Sequence, residues 1–162
     1  MDLRRESLEL AKEFGADEVY TPDELPKEYI VDEWNDKMFI HGVDIAAEVT
    51  GGISGLELAG RMVRPHGILS IVGYHYSNAG MREINMQLWN WKAITVVNAH
   101  ERRLAKQMEF LREALTLLEE GKLDAKPMIT HKYSFKEINQ AFVDMKNKPD
   151  GYIKGYVRIG EK

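Results

Sequence analysis

The 162-residue chain has no cysteine, which excludes disulfides and every thiolate metal site. Its histidines, His41, His66, His75, His100 and His131, stand far apart, with no HExxH or other close pair at ligand spacing. A metal held by this chain alone is therefore not expected. No stretch reaches the about 18 apolar residues of a spanning helix, and Met1-Asp2-Leu3-Arg4-Arg5-Glu6 lacks the apolar core of a secretory leader. A cytoplasmic protein with no membrane partner is the expectation. Basic excess is missing too: 22 Lys and Arg against 26 Asp and Glu give a formal net charge of -4. With the two signs interleaved, a broad nucleic-acid-binding field is excluded.

What is present is enough apolar residue, 44% of the chain, to bury one ordinary core. Leu3, Leu8, Ala11 and Phe14 predict a helix over 3–14 that stops at Gly15. Residues 18–20 are a strand candidate, and Thr21-Pro22-Asp23-Glu24 offers a cap, a first-turn proline and a capping glutamate for a short helical turn. The run 43–50 reads as a strand buried on both faces, and Leu56, Ala59, Met62 and Val63 predict the next helix, which stops at the turn Pro65-His66-Gly67. Strands follow at 68–74 and 94–98. A long helix over 101–120 closes at Gly121. Ser134-Phe135-Lys136-Glu137 is a capping box for a helix with Ile138, Ala141, Phe142 and Met145 on one face, and 152–159 is a closing strand. Strands that alternate with helices point to an α/β protein.

In order, the segments are Asp2, LELAKEFGADEVY (8–20), VDIAAEVTG (43–51), RMVRPHGILSIVGY (61–74), WKAITVV (91–97), PMITHKYSFKEINQAF (127–142) and GYIKGYVRI (151–159). This succession, from residue 2 to 160, resembles the C-terminal half of the zinc-type medium-chain dehydrogenases, the alcohol and polyol dehydrogenase family. The resemblance implies an incomplete Rossmann-like, doubly wound parallel sheet plus a C-terminal helix and strand. It makes 1–126 a partial dinucleotide-binding domain, and 127–162 a helix and strand that return toward a catalytic domain lying upstream.

By the same resemblance, Asp2 takes the place of the acid that accepts hydrogen bonds from the adenosine ribose and so favours NAD. Arg4 and Arg5 beside it are what a 2′-phosphate would need, and a plain helix N-cap is the other reading of Asp2. Val49, Thr50 and Gly51, with Val72, Gly73 and Tyr74, resemble the loops that pass the cofactor riboses. Val96 and Asn98 resemble the strand end at the nicotinamide carboxamide, and Lys154 a basic position near the phosphate or ribose. No catalytic residue is assigned within the chain, and zinc is expected only in the upstream domain. The implied activity is hydride transfer between an alcohol or polyol and NAD in a homo-oligomer, with this chain inactive by itself. A noncatalytic dimerisation or weak adenosine-binding domain is the alternative.

Several residues leave their roles open. Gly51-Gly52-Ile53-Ser54-Gly55 follows a strand and opens a helix, so it rivals the upstream turn as a pyrophosphate cradle. Against this, its spacing is not GxGxxG, and no acid ends the next strand at Gly73-Tyr74-His75. Glu48 either bonds loop backbone or faces the site. His75 and His100 follow strands but are not assigned to catalysis, and Leu88, Trp89 and Trp91 suit either a dimer surface or the core.

Overall fold

The computed structural model describes residues 1–160. The chain forms two units, Leu25–Arg103 and a second made of Met1–Glu24 with Leu104–Lys162. In the first unit, β1 (Val43–Glu48), α2 (Ile53–Met62), β2 (Val63–Ile71), α3 (Met86–Lys92) and β3 (Thr95–Asn98) follow in order. The strands form one parallel sheet in the order β1-β2-β3. This is the expected α/β class. Parallel neighbours need crossovers, and α2 and α3 supply them.

One face of that sheet is packed. Ala46, Val63 and Leu69 from the strands meet Leu56 and Ala59 of α2 and Leu88 and Trp89 of α3. Gly60 lies so close to the Trp89 indole that a Cβ would fall on Nε1. Leu88 and Trp89 thus belong to this core, while Trp91 is half-buried and lies 4.6 Å, ring to ring, from Trp34. The other face is not covered as 43–50 predicts: Ile45 is 61% exposed, and β1 alternates, burying Ala46 and Glu48 only. All of β3 is exposed. The apolar run encodes two covered faces, but within this unit α2 and α3 pack on one.

The turn at Pro65-His66-Gly67 lies inside β2 as a bulge. Val43 pairs with Val63 and Ile45 with Ile68, so two steps on β1 oppose five on β2, and His66 takes a φ of 61°. Helix α2 runs straight into this strand, which leaves its last carbonyls without helical donors. Lys92 fills that role. Its buried ammonium donates to the carbonyls of Gly60 (2.7 Å), Arg61 (3.2 Å), Val63 (2.7 Å) and Val31 (2.9 Å). A cation at a helix C-terminus also complements the helix dipole. Burial pulls the Lys92 pKa down to about 8, with Asp32 opposing and Arg61 adding to the shift.

The second unit holds α1 (Arg5–Glu13), α4 (Leu104–Glu119), β4 (Ile129–Ser134), α5 (Ile138–Asn147) and β5 (Lys154–Arg158). Strands β4 and β5 pair in parallel. The Ser134 amide donates to the Glu137 carboxylate at 2.8 Å and the Ser134 side chain accepts from the Glu137 amide, which makes the capping box; the Ser134 hydroxyl also donates to that carboxylate at 2.8 Å. The Tyr133 hydroxyl donates to Asp144 at 2.8 Å and ties β4 to α5; burial first, then Asp144, pushes its pKa up to about 12. Thr21 and Glu24 close the expected turn, with Pro22–Glu24 as one 3₁₀ turn.

The strand expected at 18–20 does not form. A strand needs a ladder, and among the described residues no strand pairs with this segment, although the Asp2 amide donates to the Tyr20 carbonyl at 3.4 Å. Helix α4 buries none of its residues, and on α5 Ile138 and Ala141 are half-buried while Phe142 and Met145 are exposed. No helix of the described residues is long and apolar enough to cross a membrane.

Candidate functional site

Parallel pairing brings the carboxyl ends of β1, β2 and β3 to one edge. Glu48, Ile71 and Asn98 stand in register across it. Beyond that row, the Val72 and Gly73 amides donate to the Glu48 carbonyl at 2.8 Å, and Ala99 donates to Ile71 at 2.9 Å. The 49–51 and 72–74 loops therefore leave the sheet side by side.

The Glu48 carboxylate, 2% exposed, lies beneath both loops. Its Oε1 accepts from the Thr50 amide (2.6 Å), the Thr50 hydroxyl (2.5 Å) and the Gly51 amide (2.9 Å). Its Oε2 meets His75 Nε2 at 2.8 Å. Burial pushes this carboxyl's pKa up, but the bonds from Thr50, His75 and Gly51 outweigh it and hold the group below the usual value. Arg82 completes the cluster. Its Nε donates to His75 Nδ1 at 3.0 Å, and its other nitrogens donate to the carbonyls of Ser77 (2.7 Å), Met81 (2.7 Å) and Gly51 (3.2 Å) and to the Ser77 hydroxyl (3.1 Å). Arginine has no acceptor, so Nδ1 accepts and the imidazole hydrogen sits on Nε2, aimed at Glu48. With both ring nitrogens engaged, His75 is no free base.

Glycine is what lets the loops close on this carboxylate. A Cβ at Gly73 would fall on the Gly51 amide and on Glu48 Oε2, and one at Gly51, where φ is 69°, would fall on the Tyr74 carbonyl. The same bonds occupy two amides of the rival cradle at Gly51–Gly55. The Thr50 and Gly51 amides are committed to Glu48, and the Gly52 amide donates to the Thr50 hydroxyl at 3.0 Å. A phosphate there would lack these donors and would face a buried carboxylate.

The outward side of the edge is apolar and open. Val49 and Tyr74 are 65% and 62% exposed, and Val72 and Val96 are also exposed. The Tyr74 ring meets His100 edge-on at 5.6 Å, stacks with Tyr76 at 6.3 Å and carries the Arg102 guanidinium 5.8 Å above it. Val49, Thr50, Gly51, Val72, Gly73, Tyr74, Val96 and Asn98 thus share one sheet edge. Asp2 and Lys154 lie in the other unit. Asp2 is exposed, and its Oδ1 accepts from the Arg4 amide at 2.9 Å without capping α1, whose N-cap is Arg4. Lys154 is exposed at the start of β5, opposite Ile129.

Sequence reasoning singled out Glu48 without assigning it, set His75 aside and missed Arg82. An acid closing an apolar run and followed by Val-Thr-Gly was a usable signal for Glu48. Nothing marks Arg82 among the other charged residues. A nicotinamide dinucleotide fits this edge at its nucleoside parts, since the edge offers open apolar surface and committed amides rather than a phosphate cradle. Zinc does not fit: among the described residues no group of three or more His, Cys, Asp or Glu is placed to hold a metal ion.

Comparison with known proteins gives the family. The family model described as zinc-binding dehydrogenase matches residues 1–120. L-Threonine 3-dehydrogenase of Pyrococcus abyssi is 35% identical over 153 residues, covering 94% of this chain and 41% of that protein. The structure of L-idonate 5-dehydrogenase from Escherichia coli superposes with a TM-score of 0.76 at 22% identity, over 98% of this chain and 41% of the other. Acetophenone reductase from Geotrichum candidum, solved in complex with NAD, gives a TM-score of 0.66 at 19% identity, over 96% and 39%. The chain therefore spans about two fifths of the proteins it matches, and it belongs to the zinc-binding dehydrogenase family.

Proposed function

We propose that this chain supplies the cofactor-side part of a dehydrogenase that moves a hydride between an alcohol or polyol and NAD. The observation that carries the reading is the shared edge of β1, β2 and β3. Ligands of open parallel sheets bind beyond the carboxyl ends of the strands, and here those ends carry exposed Val49, Val72, Tyr74, Val96 and Asn98 over a locked base. Bound there, the dinucleotide would supply the hydride-accepting carbon. The chain's own part is to hold it: the 49–51 and 72–74 loops against the riboses, Val96 and Asn98 toward the nicotinamide, Asp2 at the adenosine ribose and Lys154 near the phosphate or ribose.

NAD is the proposed form because the arginines near Asp2 are already paired, Arg4 with Glu6 at 3.4 Å and Arg5 with Glu24, while Asp2 would repel a 2′-phosphate. The phosphate cradle and the zinc that lowers the alcohol's pKa are assigned to polypeptide other than these residues. Within this proposal, residues 1–126 serve the cofactor, residues 127–162 return toward the zinc-bearing part, and the enzyme works as a cytoplasmic homo-oligomer. Fluorescence titration of the chain with NADH and NADPH tests it. NADH binding tighter than NADPH is expected, with D2N narrowing the gap. Equal affinity would remove the role of Asp2, and binding of neither would leave a noncatalytic domain as the better reading.

A further inference from the structure

The cluster beneath the strand-end loops is more elaborate than loop closure requires. Burying a carboxylate strips it of its hydration, and an apolar residue at position 48 could pack against the sheet without that penalty. Such a residue could not join the loops. Glu48 grips the 49–51 loop through three bonds and the 72–75 segment through His75, and Arg82 reaches from His75 to the Gly51 carbonyl and on to Ser77 and Met81. The result is a closed ring: Gly51 amide to Glu48, Glu48 to His75, His75 to Arg82, and Arg82 back to the Gly51 carbonyl. Its hydrogen bonds have one polarity, because Arg82 can only donate and ionised Glu48 can only accept.

We infer that Glu48, His75 and Arg82 form a positioning relay that fixes the spacing of the 49–51 and 72–74 loops for the cofactor's nicotinamide riboside; this rests on the cofactor reading above. None of the three touches the cofactor itself. They act through Thr50, Gly51 and Gly73, and a change in the relay's polarity moves the loops even when every side chain keeps its size.

Polarity gives the test. In E48Q the amide nitrogen at the Oε2 position faces His75 Nε2–H, donor against donor. If His75 moves its hydrogen to Nδ1, it then faces Arg82 Nε–H instead. One link must break. In E48Q/R82Q the carbonyl of the glutamine introduced at position 82 stands where Arg82 Nε stood and accepts from Nδ1–H, so the ring can run with reversed polarity. The expected result for NADH titration of the 162-residue chain is a rise in Kd of about tenfold for E48Q, equal to about 1.4 kcal/mol. The double variant should return to within about threefold of R82Q alone, and ¹⁵N spectra should show the His75 hydrogen moving from Nε2 to Nδ1. Additive penalties in this cycle, or a folded E48Q that binds as wild type does, would overturn the relay. Should E48Q not fold, H75N carries the same expectation, since it severs the Glu48 link. If wild type itself shows no NADH binding, the cofactor reading fails and the relay with it; if wild type binds and E48Q and H75N bind equally well, only the relay fails.

Discussion

Lys92 and Glu48 are the two charged residues that the first unit buries, and each is buried with its hydrogen bonds made. K92M keeps the length and apolar stem but leaves four carbonyls without this donor. A loss of about 3 kcal/mol or more is expected in urea unfolding, a large share of the total stability of about 5–15 kcal/mol usual for a domain. Glu48 titrates in the opposite sense. Its folded carboxyl lies below the ordinary value of 4.5, so its contribution is complete above that pH and is lost as pH falls through the lower folded value. Unfolding free energy measured between about pH 6 and pH 3 should therefore fall less steeply in E48Q than in wild type. At this scale the sequence was informative about residue type and silent about partner. Glu48 was conspicuous as an acid in an apolar run, whereas its bonds to Thr50 and His75 depend on how β1 and β2 align. Arg82 reaches its acceptors through a fold that no local pattern announces.

Elements show the same division. The capping box at Ser134 and Glu137, the helices at 5–13, 104–119 and 138–147, and the three strands of the parallel sheet follow from local spacing and were legible. The strand expected at 18–20 does not form, because a ladder depends on a neighbour rather than on composition, and the bulge at Pro65-His66-Gly67 was hidden because a turn signal can sit inside a strand. The packing of α2 on α3 gives a prediction in which two effects compete. G60A should favour helix α2 by about 1 kcal/mol through propensity, yet its Cβ would meet the Trp89 indole, and overpacking a tight contact costs about 1–3 kcal/mol. The contact should win: G60A is expected to lower the urea midpoint, and a raised midpoint would mean that Trp89 yields freely.

For the whole molecule, sequence reasoning reached the fold class and the family because the order of segments over 2–160 is more specific than any one of them. It did not reach the reason that the 49–51 and 72–74 loops are small. These loops were read only as passing the cofactor riboses; in the structure Gly51 and Gly73 make space for each other and for Glu48, and the open surface lies outside them at Val49, Val72, Tyr74 and Val96. The central claim is that this edge, and not the start of α2, receives the nucleoside part of a nicotinamide dinucleotide. Mapping backbone and methyl NMR shifts during titration with NADH tests it most directly. Shifts are predicted at Val49, Val72, Tyr74, Val96 and Asn98, with the Ile53, Ser54 and Gly55 amides at the start of α2 little changed; shifts centred on those amides, with the strand ends silent, would contradict the claim.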